Sequence, residues 1–223
     1  MCGRFTLYTD PDFLGDYFEL ENKDDILLEA RYNIAPSQQI FTIVKGQTSF
    51  RGGYMKWGLI PSWAKEPSIG YKMINARSES VHEKASFKSL LEKRHCLVAA
   101  SGFFEWKKEE GHKQPYYIKY KTDEPLVMAG LWDRWKNKTG ASVVSCTILT
   151  TEANDFMKEL HHRMPVILPE EKWRKWLELP INSNSNYTKE LFVPLTSDKL
   201  TAYPVSTFVN KPQNESYVCI EKI

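Results

Sequence analysis

His95-Cys96-Leu97-Val98-Ala99-Ala100-Ser101-Gly102-Phe103-Phe104-Glu105-Trp106 is the stretch whose reading decides the fold. An apolar run from Leu97 ends in an acid flanked by three aromatics, and the whole reads as a strand pair. A charged turn (Lys107 to Lys113) follows, then strands over Pro115–Tyr120, Leu126–Trp132 and Ser142–Thr150. Upstream, a helix is expected over Asp10–Leu20, with Phe13, Leu14, Tyr17 and Phe18 on one face, and a second over Lys23–Ala30. Arg31–Gln38 reads as an ordered loop feeding a strand at Gln39–Val44, and Gly46 and Gly52-Gly53 punctuate a β-region that runs to Trp57. Gly58-Leu59-Ile60-Pro61-Ser62-Trp63 is a Pro-broken loop, and Val81–Glu92 reads as a helix with Phe87, Leu90 and Leu91 inward. Beyond the strands, a helix is expected from Thr151, with Glu152 and Asp155 in its first turns, and another over Pro169–Leu179 that buries Trp173, Trp176 and Leu177. Ile181–Thr188 is an Asn/Ser-rich solvated loop, and short strands near Tyr203–Phe208 and Tyr217–Ile220 close the chain. With no internal repeat and no linker, one α+β domain dominated by mixed β-structure over residues 1–223 is the economical reading.

The composition is globular: 223 residues, 42% hydrophobic and 13% aromatic, enough for one large core. Seven Trp, eleven Tyr and eleven Phe leave rings to spare as stacking surfaces. A net charge of +2 is only mildly basic, so any nucleic-acid surface has to be a local patch. The four cysteines form no CxxC pair; Cys96 and Cys146 lie in apolar runs and read as packing residues. Neither a metal-ligand spacing nor a disulfide framework is present, and no metal or cofactor is expected. The N-terminus lacks an apolar signal region, and no apolar run approaches the length of a membrane span. A reducing, cytoplasmic setting without membrane association is therefore expected, and it keeps the Cys2 thiol free.

Four short segments carry chemistry. The chain opens Met1-Cys2-Gly3-Arg4-Phe5. Methionine aminopeptidases remove an initiator that precedes a small residue, and the mature chain then presents an α-amine and a thiol on Cys2. Such a 1,2-aminothiol captures aldehydes: the amine forms an imine and the thiol closes a thiazolidine. With a pKa of about 7.7–8, much of the amine is already nucleophilic near neutrality, and the ring closure is intramolecular, with an effective molarity on the order of 10⁵ M. Ile74-Asn75-Ala76-Arg77-Ser78-Glu79 joins an amide to a guanidinium fork suited to phosphate, or else is a turn with an Arg77–Glu79 ion pair. Glu105, among aromatics, is placed to have a raised pKa that suits acid–base work, or else shares a strand face with Phe103 and points into solvent beside Lys107. Leu160-His161-His162-Arg163-Met164-Pro165 sets two imidazoles and a guanidinium before a proline, without the i,i+4 spacing of a helical metal site. No GxSxG, P-loop or GxGxxG occurs.

Taken in order, these segments resemble the SOS response-associated peptidase (SRAP) family of abasic-site processing proteins. The matching stretches include Cys2-Gly3-Arg4, Tyr32-Asn33-Ile34-Ala35-Pro36, Trp57 to Trp63, Ile74 to Arg77, Gly102 to Trp106, His161 to Leu168 and Pro204-Val205-Ser206, so they span nearly the whole chain. The resemblance implies a compact α+β domain with a curved mixed β-sheet or barrel-like core flanked by helices. It also implies a sensor of abasic sites in single-stranded DNA that crosslinks through Cys2 and carries lyase and crosslink-reversal activities.

By the same resemblance Cys2 is the nucleophile, Asn75 positions the N-terminus and the opened sugar, Glu105 shuttles protons, and His161 bonds the sugar and aids reversal. Arg4, Arg77 and Arg163 are expected to grip phosphates, with Asn33 counted among the DNA-binding residues and Trp63 wedged beside an unstacked base. Ala64 follows Trp63 where some members carry a second Trp, which implies a smaller stacking surface, and Tyr203 stands where some members carry His. The implied partners are abasic single-stranded DNA and proteins of the replication fork, with a monomer expected. Two other classes stay open at this point: a cysteine peptidase or N-terminal-nucleophile hydrolase that removes its own Met1, and a non-catalytic single-strand binding module.

Overall fold

The computed structural model describes residues 2–122, 124–178 and 190–223. Its elements run β1 (Phe5–Leu7), α1 (Pro11–Tyr17), β2 (Arg31–Ile34), β3 (Gln39–Lys45), β4 (Phe50–Trp57), β5 (Asn75–Arg77), β6 (His95–Ala100) and β7 (Gly102–Glu109). Then come β8 (His112–Tyr120), β9 (Leu126–Lys136), β10 (Ser142–Glu152), α2 (Asp155–Lys158), β11 (Arg163–Pro165), α3 (Glu170–Glu178) and β12 (Leu200–Pro204). Both strands expected between His95 and Trp106 form, but they do not pair with each other: Ser101 carries the chain from one sheet to the other, β6 pairing with β3 and β9 and β7 with β1 and β8. Every residue of β6 is buried, the mark of a strand covered on both faces.

The strands make two sheets. In one, β10 pairs with β4, then β3, β6 and β9 follow, and β9 pairs back onto β10, so five strands close into a barrel with no free edge. β10 is eleven residues long and outruns the barrel. Its far half takes β5 in parallel on one side (Ile148↔Asn75) and β11 antiparallel (Thr151↔Met164). The second sheet has the order β12-β8-β7-β1-β2. The α+β class read from the residues, and the barrel-like core that the family resemblance implies, are what the chain forms.

Helix α3 seals the barrel wall. Pro169 precedes it and Glu170 and Glu171 occupy its first turn, where acids complement the helix dipole. Trp173, Trp176 and Leu177 are buried as expected. The Trp173 ring stands edge-on to Phe18 and Phe50 at 5.2 and 5.3 Å, and Trp176 Nε1 donates to the Cys96 carbonyl at 2.9 Å.

Several expectations fail locally, each for a physical reason. Lys23–Ala30 is no helix beyond a single 3₁₀ turn at Lys23–Asp25, since its charges leave no continuous apolar face to bury. Arg31–Ile34 is a strand rather than a loop, paired to β1. Phe13 is 46% exposed, outside the face that α1 buries. Val81–Glu92 coils through mixed i−3 and i−4 bonds, such as Phe87 N to Lys84 O and Lys88 N to Lys84 O, and is not a regular α-helix; Phe87, Leu90 and Leu91 are nonetheless buried. The charged turn shrinks to Glu110-Gly111, because Gly111 adopts φ +79° and β7 and β8 run on to meet it. The helix expected from Thr151 yields to the strand, since β-branched Thr150 and Thr151 pair with β11; only Asp155–Lys158 is helical, capped by Asn154 accepting from Met157 N. Near the C-terminus the strand is Leu200–Pro204, and Thr207–Asn210 and Tyr217–Ile220 are 3₁₀ turns. Ile181–Thr188 lies outside the described residues. Among the described residues no helix is long and apolar enough to cross a membrane.

Replacing Trp176 by Ala removes a buried indole and its bond to Cys96, and should lower stability by about 3–5 kcal/mol. Trp63→Ala, at a ring that is 60% exposed, should stay within about 0.5 kcal/mol of wild type. Urea unfolding of both variants checks the contrast.

Candidate functional site

The segment Cys2-Gly3-Arg4 has no secondary structure of its own and is held from two sides. Phe104 N donates to the Arg4 carbonyl at 2.9 Å, which lays the N-terminal residues against β7 just upstream of β1. From the barrel's outlying strand β5, Asn75 Nδ2 donates to the Cys2 carbonyl at 2.8 Å. Asn75 Oδ1 is buried and accepts no hydrogen bond among the described residues. Cys2 is fully buried, and burial, with the Glu105 carboxylate adding to it, pushes its thiol well above the ordinary range.

Glu105, on β7, is 3% exposed, and burial pushes its carboxyl up to about 7. His161 Nδ1 accepts from the backbone N–H of Arg163 at 3.0 Å, so the neutral ring carries its proton on Nε2. Burial holds that imidazole down to about 4, and the His162 ring stacks on it at 4.3 Å. Gly3, Glu105, His161 and His162 all border one cleft of about 910 Å³. The structure thus brings Cys2, Asn75, Glu105 and His161 into one neighbourhood, drawn from both sheets and the loop before β11. Among the described residues no three His, Cys, Asp or Glu side chains form a metal site.

The residues expected to hold DNA divide. Arg4 borders the cleft, with Nη1 donating to Asn33 Oδ1 at 2.6 Å and to the Val209 carbonyl at 2.8 Å. Arg77 is exposed on β5. Trp63 projects from a loop that is firmly tied: Ser62 N donates to Asp133 Oδ2 at 2.7 Å, and Trp135 Nε1 donates to the Ala64 carbonyl at 2.7 Å. Gly58 allows this loop to approach its neighbour, since at φ +124° an added Cβ would lie 2.7 Å from the Gly70 carbonyl oxygen.

Two side chains point elsewhere than expected. Asn33 is fully buried and its Nδ2 is engaged by the carbonyls of Lys211 (3.0 Å) and Asn214 (2.7 Å), so it pins the C-terminal turns and orients Arg4 instead of meeting a strand of DNA. The Arg163 guanidinium is buried against both Glu79 oxygens (2.7 and 2.9 Å) and the Thr150 carbonyl (2.6 Å), which makes it a clamp between β10, β11 and the turn after β5. Glu79 therefore answers Arg163 and not Arg77. Tyr203 is structural as well, donating to the Ile220 carbonyl at 3.0 Å. Sequence reasoning missed Lys107, Lys108, Lys113 and Lys158, which border the cleft. The lysine-rich turn carried the signal, but nothing in it told which way the hairpin leans.

The family described as SOS response associated peptidase (SRAP) has a model that matches residues 1–212, and the chain belongs to that family. It is 43% identical over 226 residues to the abasic site processing protein YoqW of Bacillus subtilis (strain 168), an alignment covering 99% of each chain. It is 37% identical over 192 residues to the abasic site processing protein HMCES of Xenopus tropicalis, covering 76% of this chain and 56% of that one. Among solved structures, a crystal structure of a protein from Bacteroides thetaiotaomicron superposes with a TM-score of 0.88 at 26% identity, covering 100% of both chains.

The Glu105 carboxyl has a folded-state pKa of about 7 against an ordinary value of 4.5. Between those values the folded state binds more protons than the unfolded one, so this residue costs stability progressively as pH rises through that window. Glu105→Gln should therefore stabilise the protein at pH 8 relative to pH 5, by about 2–3 kcal/mol in the difference, measurable by urea unfolding at the two pH values.

Proposed function

We propose that this chain captures abasic sites in single-stranded DNA as a covalent adduct of Cys2, once Met1 has been removed. The observation that carries the reading is the pinning of the Cys2 carbonyl by Asn75 at 2.8 Å, beside a buried Glu105 on a cleft lined with lysines. Membership of the SRAP family and the names of the curated relatives support the same substrate.

The Cys2 α-amine adds to the aldehyde carbon of the ring-opened deoxyribose to give a carbinolamine, and loss of water leaves an imine. A carboxyl with a pKa of about 7 is protonated often enough to release that water and ionised often enough to take a proton back. The thiol then adds to the imine carbon, its proton passes to nitrogen, and the thiazolidine closes with one water lost overall. This order suits a thiol whose burial disfavours thiolate, because the amine and not the sulphur attacks first. The same property argues against thiolate attack on an amide, the peptidase alternative. Neutral His161, donating from Nε2, bonds the sugar hydroxyl freed by ring opening. At the imine stage, loss of a proton from the neighbouring sugar carbon expels the 3′ phosphate, which accounts for a lyase activity, and attack of water on the imine returns DNA and amine.

Incubating mature protein with single-stranded DNA bearing one abasic site, followed by a denaturing gel, tests the reading. A covalent shift is expected, with intact mass showing loss of Met1; Cys2→Ala should leave no stable adduct while keeping most DNA affinity. An Ala variant that crosslinks as durably as wild type defeats the proposal. Asn75→Ala frees the reactive segment and should slow single-turnover crosslinking on the order of 100-fold, with little change in affinity.

A further inference from the structure

β7 and β8 leave the body of their sheet as a two-stranded arm. β1 covers β7 only through Phe5↔Phe103 and Thr6↔Gly102, followed by the bond from Phe104 N to Arg4 O, and β12 covers β8 only as far as Tyr116. The C-terminal segment then tethers the base of the hairpin, with Val205 N donating to the Pro115 carbonyl at 3.0 Å, Gln114 Nε2 to the Val205 carbonyl at 2.8 Å and Trp106 Nε1 to Asn210 Oδ1 at 2.7 Å; past those bonds its tip runs alone through Lys108↔Lys113 and Glu109↔His112. Lys108 stands directly opposite Lys113 in that register, while Lys107 pairs with Gln114 and leaves from the other face of the ribbon, on the side of Glu105; all three border the cleft. Like charges opposed across a bare hairpin destabilise it, and isolated two-stranded hairpins are marginal to begin with.

Among the described residues none of these three lysines is held in an ion pair; Lys107 Nζ lies only over the Tyr116 ring at 6.0 Å. Lysines on an exposed strand edge also discourage unwanted strand pairing. Edge protection does not explain why Arg4, from the N-terminal segment, and Lys158, from α2, border the same cleft. Arg4 and four lysines from three separate parts of the chain thus border one cleft whose lining includes the acids Glu105 and Glu159, with Lys158 also paired to Asp155 at 2.8 Å. The chain as a whole carries a net charge of just +2.

We infer that the hairpin's Lys107, Lys108 and Lys113 form a phosphate-binding wall, which seats consecutive phosphodiesters of a DNA strand beside the reactive centre and relieves the opposed lysines. This deepens the proposed capture of single-stranded DNA and rests on it for the identity of the strand. The wall supplies affinity and register, and the chemistry stays with Cys2 and Glu105.

The test measures binding of a lesion-free oligo-dT by fluorescence anisotropy across a salt series. It compares wild type, the triple variant Lys107→Gln/Lys108→Gln/Lys113→Gln, and a control triple Lys84→Gln/Lys88→Gln/Lys93→Gln, whose exposed lysines do not border the cleft. The hairpin triple should flatten the plot of log Kd against log salt by about 2, roughly 0.7 for each phosphate of a single strand that is no longer neutralised. The control should leave the slope unchanged. Should the triple fail to fold, as judged by near-UV circular dichroism, the single variant Lys113→Glu beside the turn serves instead and should also flatten the slope. If wild type forms the adduct but the hairpin variants keep its salt slope, the wall is refuted and the capture reading stands. If the hairpin governs the slope and wild type forms no adduct, the wall stands and the capture chemistry falls. A wild type that binds no oligo-dT at any salt refutes the wall, and adduct formation with abasic DNA then decides the capture reading by itself.

Discussion

One hydrogen bond, from Asn75 Nδ2 to the Cys2 carbonyl, joins the barrel's outlying strand to an N-terminal segment that belongs to the other sheet. Chain ends fray unless tied down, and this one is tied by β7 on one flank and by Asn75 on the other. Asn75 can reach because β5 lies in parallel beside the part of β10 that outruns the barrel. β10 in turn is positioned by barrel closure, through its long antiparallel ladder with β9. The geometry of the reactive end is therefore a consequence of pairings made far away in sequence, and Arg163, clamped to Glu79 and Thr150, holds the same outlying corner.

Burial then sets the chemistry. Taking a group out of water penalises its charged form, whichever sign that is. The same cause lifts the Glu105 carboxyl toward 7 and lowers the His161 imidazole toward 4. An acid that exchanges protons near neutrality and a neutral imidazole with its proton on Nε2 stand at the same cleft, without two fixed buried charges to compensate. Around them Lys108 and Lys113 stand exposed, so the cleft divides into a buried corner and a solvent-facing rim of basic side chains.

Short motifs make part of this legible. Cys2 beside Gly3-Arg4, and Glu105 within Phe103-Phe104-Glu105-Trp106, carry chemistry that follows from residue type alone. The burial of Trp173, Trp176 and Leu177 follows from helical spacing, and that of β6 from an unbroken apolar run. Arg163 misleads because a guanidinium fork suits a carboxylate as well as a phosphate, and Glu79 lies 84 positions away. Asn33 misleads for a similar reason, since its partners in the C-terminal turns are about as remote as the chain allows. The strand that replaces a helix at Thr151 shows the same limit: acids nearby argue for a helix start, and pairing with β11 overrides them.

By itself the sequence determined the strand-rich α+β class and most of the core, and it is the source of the proposal that Cys2 meets an aldehyde. Those are local properties, written in periodicity, in functional-group chemistry and in the order of motifs. Only the tertiary structure decided that the barrel closes through β9 and β10, that Asn75 meets Cys2, and that the Lys107–Lys113 hairpin leans over the cleft. Each of these depends on which distant strands share hydrogen bonds, and a linear pattern of residues leaves that pairing open until the chain has folded.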